Sequence, residues 1–410
     1  MIEKAKKLTL IELNEINFHF VKKYTEKYPK IFKNFSMILG QNQYETYSES
    51  EYENLEPWIQ WVSAHTGKDF NEHNVFRLGD ITNFSHTQIY EFLETHDYTV
   101  GSISPMNAAN NLKNPSYFIP DPWTQTPPSK DFWSYKLHNM VQQTVNDNSK
   151  SRISFKSIIT IFAAFIRFCP IKRIHIYLGI ALKSISRPWM KAMFLDLLLH
   201  DVHNSFLREK LPDFSSVFFN AGAHIQHHYF FNSEFYEGKN RNPEWYISKR
   251  SDPLLDMLKI YEVMIGDYIN DSNREYILAT GLTQIPYDLT IFYYRLKDHD
   301  SFLRRLGIAF NEVIPRMSRD FLVTFNSISE KNNATRVLKN LRCKETGIPL
   351  FEEIEDRDLS LFITMTYPRE IHPKSLFSFN DSDIKLYDEV ALVAVKNGHH
   401  NESGYFFSSF

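Results

Sequence analysis

Short apolar runs alternate along the chain with longer segments in which apolar residues recur every three or four positions. Five runs have the length of a buried β-strand and are followed by polar or small residues: 8–13, 98–103, 217–219, 276–279 and 390–395. Residues 86–95 and 254–269 have the periodicity of helices. This alternation predicts an α/β fold with a doubly wound, mainly parallel sheet and helices on both faces. Ligands of such folds bind beyond the carboxyl ends of the strands, so we expect the functional residues directly after the apolar runs.

One segment departs from this pattern. Residues 150–195 contain nine Lys or Arg and no Asp or Glu, mixed with the apolar runs IITIFAAFI and IHIYLGIAL. The longest apolar stretch is about ten residues, whereas a spanning helix needs roughly 20. We therefore predict a basic helical insertion, residues 121–204, in a core made of residues 1–120 and 205–410. Two interpretations stay open: its basic face is simply solvated, or it attracts an anionic substrate or makes a peripheral contact with an anionic membrane.

Composition excludes several classes of protein. A net charge of −3 over 410 residues excludes a generally basic nucleic-acid binder, so we expect no nucleic-acid partner. Two cysteines exclude a disulfide framework and a four-cysteine zinc site, and they favour a reducing compartment. The start of the chain has no apolar stretch of signal-peptide length before residues 8–13. We expect a cytoplasmic protein, soluble or peripheral at the inner membrane surface.

Two histidine clusters follow predicted strands. Asn220, His224, His227 and His228 come after the run that ends at Phe219, and His399 and His400 come after residues 390–395. Imidazole nitrogens and an amide oxygen suit a divalent ion such as Zn, Mn or Fe, and they also suit an anion. The structural alternatives are an ordinary histidine pair on a helix and a solvated polar tail. If both strands belong to one sheet, His224 and His400 converge.

Three further clusters carry polar groups at strand or helix ends. Glu12 and Asn14 lie two apart and would share one face of an extended strand, with Glu15 directly after. Thr66 belongs to a segment rich in hydroxyl groups and histidines, and such hydroxyls serve as nucleophiles or as helix caps. Thr280 follows residues 276–279, where small residues let a substrate approach the backbone.

In this order the motifs resemble the alkaline phosphatase superfamily, within it the type I phosphodiesterase and nucleotide pyrophosphatase branch, with sulfatases as more distant relatives. In that family a loop ends in Thr-Gly, five residues and His, and Thr66, Gly67 and His73 keep this spacing. The segment HTQIYEFLETHDYTVG is similar to the helix and strand that follow. The resemblance covers most of the chain except roughly residues 120–200 and implies an alkaline-phosphatase-like fold.

The resemblance also implies a set of site residues. The family's Asp-x-x-x-His pair of metal ligands falls on Asn220 and His224, its Asp-His-Gly falls near Thr280 and Gly281, and its last His falls on His399 or His400. By this resemblance the metal ligands are Asn14, Asn220, His224 and His400, while Thr66, His73 and His228 bind substrate.

The chain departs from the family at the positions of the metal ligands and of the nucleophile. Asn14 and Asn220 replace two Asp residues, the downstream Asp-His pair is missing, and the nucleophile would fall near residues 55–57, which contain no hydroxyl group. One of the two metal sites that such enzymes hold about 4 Å apart is therefore lost. The site is expected to hold one divalent metal or none, since amides balance a dication less well than carboxylates.

Two classes of function fit these features. The first is a hydrolase or transferase for a phosphate or sulfate ester, with a surface glycan or a lipid-linked sugar phosphate as the expected substrate. In it Glu12, Glu15 or Glu56 supplies a general base and Thr280 lies beside the substrate. The second is a non-catalytic relative that binds an anionic glycan or assembles with a partner. Convergence of the candidate residues in one cleft is required by both.

Overall fold

The computed structural model describes residues 6–146, 155–315, 319–379 and 382–410. Residues 150–154, at the start of the predicted basic segment, lie outside the described residues. The chain divides into two compact units, one made of Met1–Pro286 with Gly398–Phe410 and the other of Tyr287–Asn397. The sequence analysis did not separate the second unit. The limits predicted for the insertion, 121–204 in a core of 1–120 and 205–410, stay a prediction.

The strands are numbered in chain order. They are β1 (Lys7–Leu13), β2 (Asn42–Tyr47), β3 (Val100–Ile103), β4 (Tyr117–Ile119), β5 (Phe214–Phe219), β6 (Arg274–Ala279), β7 (Thr283–Leu296), β8 (Glu312–Pro315), β9 (Asp320–Thr324), β10 (Arg342–Cys343), β11 (Ile354–Arg357), β12 (Ser360–Thr364), β13 (Leu376–Phe379), β14 (Ser382–Lys385), β15 (Val390–Asn401) and β16 (Ser403–Ser408).

The helices are numbered in the same way. They are α1 (Phe18–Lys27), α2 (Lys33–Leu39), α3 (Pro57–Thr66), α4 (Phe70–His73), α5 (Ile89–Thr95), α6 (Phe132–Asn146), α7 (Phe155–Phe168), α8 (Ile174–Ser184), α9 (Met190–Lys210), α10 (Ala221–Tyr229), α11 (Pro253–Ile269), α12 (His299–Arg305) and α13 (Ile328–Asn340).

The first unit is built on a seven-stranded sheet with the order β2-β16-β6-β1-β5-β3-β4. The pairs among β6, β1, β5, β3 and β4 are parallel, and β16 is antiparallel to both β6 and β2. This is the mixed α/β class with a mainly parallel central sheet that the alternating pattern predicts. The predicted helices at 86–95 and 254–269 correspond to α5 and α11.

The central strands are buried, which explains their apolar composition. Ile11 of β1 lies opposite Val217 of β5 and Leu278 of β6, and all three side chains are fully buried. Strands covered in this way need apolar residues at nearly every position, because neither face of the sheet meets water. Four of the five predicted runs form β1, β3, β5 and β6 of this sheet, so their carboxyl ends lie at one edge.

The fifth run has a different place. Residues 390–395 begin β15, which pairs with β7 in a two-stranded sheet and does not join the seven-stranded one. The second unit also contains two antiparallel sheets, of orders β10-β13-β14 and β11-β12-β9-β8. β15 continues to Asn401, and a turn then leads into β16 of the central sheet. His400 therefore lies in the first unit, at the end of β15 and just before β16.

The basic segment is helical in its described part. Helices α7 and α8 both pack on α9, the longest helix in the described ranges. Ala164, Phe168, Tyr177 and Ile180 of this pair are buried in the main hydrophobic core. Among the described residues there is no helix long and apolar enough to cross a membrane.

Candidate functional site

Polar side chains meet at the carboxyl ends of β1 and β5, where the sheet topology places a site. Glu15 follows β1 after one residue, and α10 begins two residues after β5. His227 lies on α10, and His400 lies near the end of β15. The Glu15 carboxylate and the two imidazoles form one cluster, which we call the Glu15 cluster.

Glu15 has a left-handed backbone conformation, with φ of 61°. Few residues other than glycine adopt it, and its occurrence at a strand end is a feature of constrained functional sites. Three backbone hydrogen bonds hold it in place. The Glu15 N–H donates to the Thr280 carbonyl at 3.1 Å, while the Glu15 carbonyl accepts from the Gln284 N–H at 3.2 Å and from the Gln226 side-chain amide at 2.7 Å.

The Glu15 carboxylate is buried and contacts both histidines. Its Oε2 lies 3.1 Å from Nε2 of His227 and 3.3 Å from Nε2 of His400. The Gln284 side-chain amide donates to the same oxygen, and the Asn14 amide donates to Oε1 at 2.9 Å. A carboxylate held by two donors and facing two imidazoles is fixed in position before any ligand arrives.

The electrostatics of the cluster couple Glu15 to His400. Burial alone would raise the pKa of the Glu15 carboxyl, but the charges of His400 and His227 lower that pKa well below its ordinary value. Burial alone would lower the pKa of His400, but the Glu15 and Glu56 carboxylates raise it above its ordinary value. Without another cation, the cluster is therefore held as an ion pair between a carboxylate and an imidazolium.

Glu56 extends the cluster from another element. It is the residue before α3, and its carboxylate lies 3.5 Å from Nδ1 of His400. His400 is thus placed between two carboxylates, one at each ring nitrogen. Its Nε2 points to Glu15 and its Nδ1 points to Glu56, an arrangement that fixes the orientation of the ring.

The donor set of the Glu15 cluster fits a divalent metal. One carboxylate oxygen and two imidazole nitrogens lie within 4.8 Å of one another. Two histidines and one glutamate are a donor set found at catalytic zinc sites that leave a position open for water or substrate. The Glu56 contact to the far nitrogen of His400 resembles the carboxylate contacts that orient metal-binding histidines.

The side chains of Asn14, Asn220 and Trp61 form a second hydrogen-bonded cluster beside the Glu15 cluster. Nδ2 of Asn14 donates to Oδ1 of Asn220 at 2.9 Å, and Oδ1 of Asn14 accepts from the Trp61 indole at 2.8 Å. The sequence places Asn14 and Asn220 where the resemblance implies metal-binding carboxylates. In the structure the two side-chain amides are hydrogen-bonded to each other, and the Asn14 oxygen accepts a hydrogen bond from Trp61.

Glu12 has a different environment from Glu15. It is fully buried in β1, and its Oε1 lies 2.7 Å from Nε2 of His65. Tyr90 lies 3.3 Å from the same imidazole nitrogen and 3.3 Å from the hydroxyl of Ser216. Glu12 is therefore engaged in a buried polar network and is not part of the Glu15 cluster.

The predicted ligand His224 lies on α10 with an exposed side chain. Its ring packs on His228 with the centroids 4.6 Å apart, and the His227 ring lies 5.1 Å from that of His400. The helix thus presents His227, one turn beyond His224, to the cluster. His227 belongs to the histidine cluster named from the sequence but was not among the predicted ligands, because the spacing of four between His224 and His228 favours that pair.

The phase of α10 is set by two contacts at its start. Gly222 packs so closely on Ile16 that a Cβ would come within 2.1 Å of its Cδ1 atom. Asp196 accepts from the Ala221 N–H at 2.8 Å and from the Tyr261 hydroxyl at 2.7 Å, and burial raises its pKa to about 6. These contacts fix which side of α10 faces Glu15.

The remaining predicted residues make local hydrogen bonds and lie outside the Glu15 cluster. The Thr66 hydroxyl donates to the Val62 carbonyl at 2.7 Å within α3. His73 is buried in α4, 3.1 Å from the hydroxyl of Ser63. Thr280 is fully buried and accepts a hydrogen bond from the Tyr405 N–H at 2.9 Å. Thr280 thereby holds β16 and, through its carbonyl, the Glu15 backbone.

No family model and no curated protein sequence matches the chain. Solved structures do match it over nearly its full length. Phosphonoacetate hydrolase from Sinorhizobium meliloti 1021 is 9% identical with a TM-score of 0.40, over 99% of this chain and 90% of that one. Murine ectonucleotide pyrophosphatase/phosphodiesterase 5 is 11% identical with a TM-score of 0.37, over 98% and 88%.

Wild-type alkaline phosphatase PafA is also similar to the chain, with 11% identity and a TM-score of 0.43 over 99% of this chain and 91% of that one. An alkaline phosphatase and a nucleotide pyrophosphatase/phosphodiesterase, the kinds of enzyme that the motifs resemble, are thus among the structures to which the chain is similar. The fold class itself follows from the strand order of the central sheet.

Proposed function

We propose that the chain is a hydrolase or transferase for a phosphate or sulfate ester, acting at the Glu15 cluster with one divalent cation. The observation that carries the proposal is the convergence of Glu15, His227 and His400 at the carboxyl edge of a parallel sheet. Ligands for the cation would be Glu15, His227 and His400. A cation there supplies positive charge that neutralises the ester anion.

Glu56 is the group best placed to act as general base. Its carboxylate lies at the start of α3, contacts His400 and keeps about a third of its surface accessible, so water reaches it. In the proposed step Glu56 takes a proton from the attacking water, the water oxygen forms a bond to phosphorus, and the bond between phosphorus and the leaving ester oxygen breaks. The departing ester oxygen then receives the proton from Glu56. Transfer to an acceptor hydroxyl in place of water follows the same course.

The substrate class proposed from the sequence is a surface glycan phosphate or a lipid-linked sugar phosphate.

The absence of a hydroxyl group at residues 55–57 supports direct attack by water or by an acceptor, and not a covalent enzyme intermediate. We therefore propose single displacement at this site. A burst of product before steady state would contradict it.

A second function is favoured by one observation. The Asn14 and Asn220 amides bind each other, and Glu12 is engaged by His65, so these groups do not offer a second set of anionic ligands. A site with ligands for one cation, and without those for a second, is also compatible with a non-catalytic function. In that case the protein would bind an anionic glycan. Such a protein would bind metal and phosphate without turnover.

The test combines metal content with turnover. Metal is measured by mass spectrometry in the wild type, Glu15→Gln, His227→Ala and His224→Ala, with exposed His96→Ala as matched control. We expect one equivalent of metal in the wild type and in the control, and loss of it in Glu15→Gln and His227→Ala. His224→Ala discriminates the two ligand sets, since it loses metal only if the set implied by the sequence is right.

Turnover is measured with p-nitrophenyl phosphate, its bis-ester and the corresponding sulfate. Glu56→Gln is expected to keep the metal and to lose on the order of a hundredfold or more of the hydrolysis rate. Metal binding by the wild type without any turnover would support the non-catalytic function. Metal retained in both Glu15→Gln and His227→Ala would overturn the proposed site.

A further inference from the structure

Helices α7 and α8 are apolar on two opposite sides. Their inner sides contribute Ala164, Phe168, Tyr177 and Ile180 to the main core. Soluble surface helices normally have a polar side opposite the buried one. In this pair the side opposite the core is also apolar, and packing within the first unit does not account for it.

The exposed side forms two regular stripes. On α7 the exposed residues Ile158, Phe162 and Ile166 recur every four positions, and on α8 Ile174, Leu178 and Leu182 do the same. The exposure of these side chains lies between 38% and 70%. We call the full set the outer face: Ile158, Ile159, Phe162, Ile166, Ile171, Ile174, Leu178, Leu182 and Ile185.

The two stripes belong to adjacent helices. The rings of Phe165 and Tyr177 lie 5.1 Å apart, so α7 and α8 touch beside the exposed residues Ile166 and Leu178. Arg173, in the turn between the helices, is buried and forms ion pairs with Asp201 and Asp267. The turn is therefore fixed to the core, and the outer face belongs to an anchored element.

Along the sequence, cations are interspersed with the residues of the outer face, and acids are missing from this stretch. No Asp or Glu occurs between residues 155 and 195. Lys183 and Lys191 are exposed, and no ion pair of theirs is found among the described residues. Arg167 and Lys172 pair with Glu209 and Asp267, while their own side chains stay 41% and 70% exposed.

We propose that the outer face binds the surface of an anionic lipid bilayer, with α7 and α8 lying in the plane of the interface. Exposed aliphatic and aromatic side chains enter the boundary between headgroups and acyl chains, and the lysines contact anionic headgroups. A second copy of the chain would bring the same cations against one another, which opposes association. The bilayer supplies both an apolar phase and the complementary charge.

The test uses the full chain and vesicle flotation. Vesicles contain phosphatidylcholine alone or phosphatidylcholine with phosphatidylglycerol, at low and at high salt. We expect binding to the anionic vesicles, little binding to the neutral ones, and release by salt. Phe162→Asp combined with Ile166→Asp is expected to weaken partition on the order of a hundredfold, because two apolar anchors are lost.

The matched control replaces two equally exposed apolar residues outside the first unit, Leu289→Asp with Ile328→Asp, and is expected to bind as the wild type does. Circular dichroism melting shows that each variant is folded. Failure of the wild type to bind anionic vesicles would overturn the proposal without any variant. A wild-type dimer in gel filtration that Phe162→Asp with Ile166→Asp dissociates would also overturn it, since the outer face would then bind a second copy.

Discussion

Asn14 is a single residue on which two neighbours depend. Its amide donates to Glu15 and Asn220, and its oxygen accepts from Trp61. Asn14→Asp would place a carboxylate oxygen against two acceptor oxygens in a buried position. We expect the free energy of unfolding at pH 7 to fall by about 3 kcal/mol, measured by urea titration. Exposed Asn332→Asp is the control and should change it by less than about 0.5 kcal/mol.

The same variant tests whether the Asn14 amide is what keeps a second cation from binding beside Glu15. If the amide is what excludes a cation, Mn²⁺ or Zn²⁺ should restore more stability to Asn14→Asp than to the wild type, since the new carboxylate offers a ligand beside Glu15. Stability equal to the wild type without metal would show that the Asn14 amide does not donate as described.

His73 makes stability depend on pH. Val75 donates to its Nδ1 at 3.0 Å, so the neutral ring carries its proton on Nε2, next to Ser63. Burial and the nearby His86 lower the pKa of His73 to about 4. The unfolded chain, with a pKa near 6.5, binds this proton first, so the stabilisation is complete at high pH and is lost as pH falls from about 6.5 to about 4.

We therefore expect the wild type to lose on the order of 2 kcal/mol more unfolding free energy than His73→Asn between pH 7 and pH 5. The difference between the two proteins, measured in urea, removes the contribution of other buried histidines. Equal losses would mean that protonation of His73 does not oppose folding.

Sequence predicted some site residues and missed others for a physical reason. Glu15 and His400 were expected beyond strand ends, and the parallel sheet brings them together. Which histidine of α10 faces them depends on the phase of that helix. Gly222 packing on Ile16 sets that phase, and such a long-range contact leaves no periodic pattern within the helix. His227 was missed for that reason.

Helix α8 begins directly after a buried cation, Arg173. Arg173 pairs with Asp201 and Asp267, and Tyr177 donates to Asp201 at 2.8 Å. Arg173→Ala would leave two carboxylates without their partner, so we expect a loss of about 3–5 kcal/mol in unfolding free energy. Amide hydrogen exchange should show the loss first in α7 and α8.

The control for Arg173→Ala is another arginine of the same segment. Arg167 pairs with Glu209 at 2.6 Å, but both side chains are about 40% exposed. Exposed ion pairs contribute little, so Arg167→Ala should cost less than about 1 kcal/mol. Equal costs for the two variants would show that the buried ion pairs of Arg173 are not what holds the segment.

The positions of single strands were easier to predict from the sequence than the sheets to which those strands belong. Apolar runs identified β1, β3, β5 and β6 because buried parallel strands need nearly continuous apolar residues. β2 is mostly exposed and polar, so its sequence NQYETY carries no such signal. β15 was expected beside the other strands, but strand partners depend on distant pairing that a local pattern does not contain.

For the whole molecule, the cluster joins distant parts of the chain. Glu15 belongs to the first strand region, His227 to the middle, and His400 to the segment that returns after the second unit. The second unit was not foreseen, because its one predicted strand, residues 390–395, was assigned to the main sheet and because its boundaries, after Pro286 and after Asn397, have no linker composition.

A cation bound by these three residues should therefore stabilise the folded first unit, to which all three belong. Binding to the folded state alone contributes RT ln(1 + [L]/Kd), about 2.7 kcal/mol at a hundredfold excess over Kd. We expect Mn²⁺ or Zn²⁺ to raise the thermal midpoint of the chelator-treated wild type by several degrees in differential scanning calorimetry. Glu15→Gln and His400→Ala should show no rise, while exposed His96→Ala should rise as the wild type does. A rise of equal size in Glu15→Gln would place the stabilising metal elsewhere, and no rise in the wild type would leave the Glu15 cluster as an ion pair without a cation.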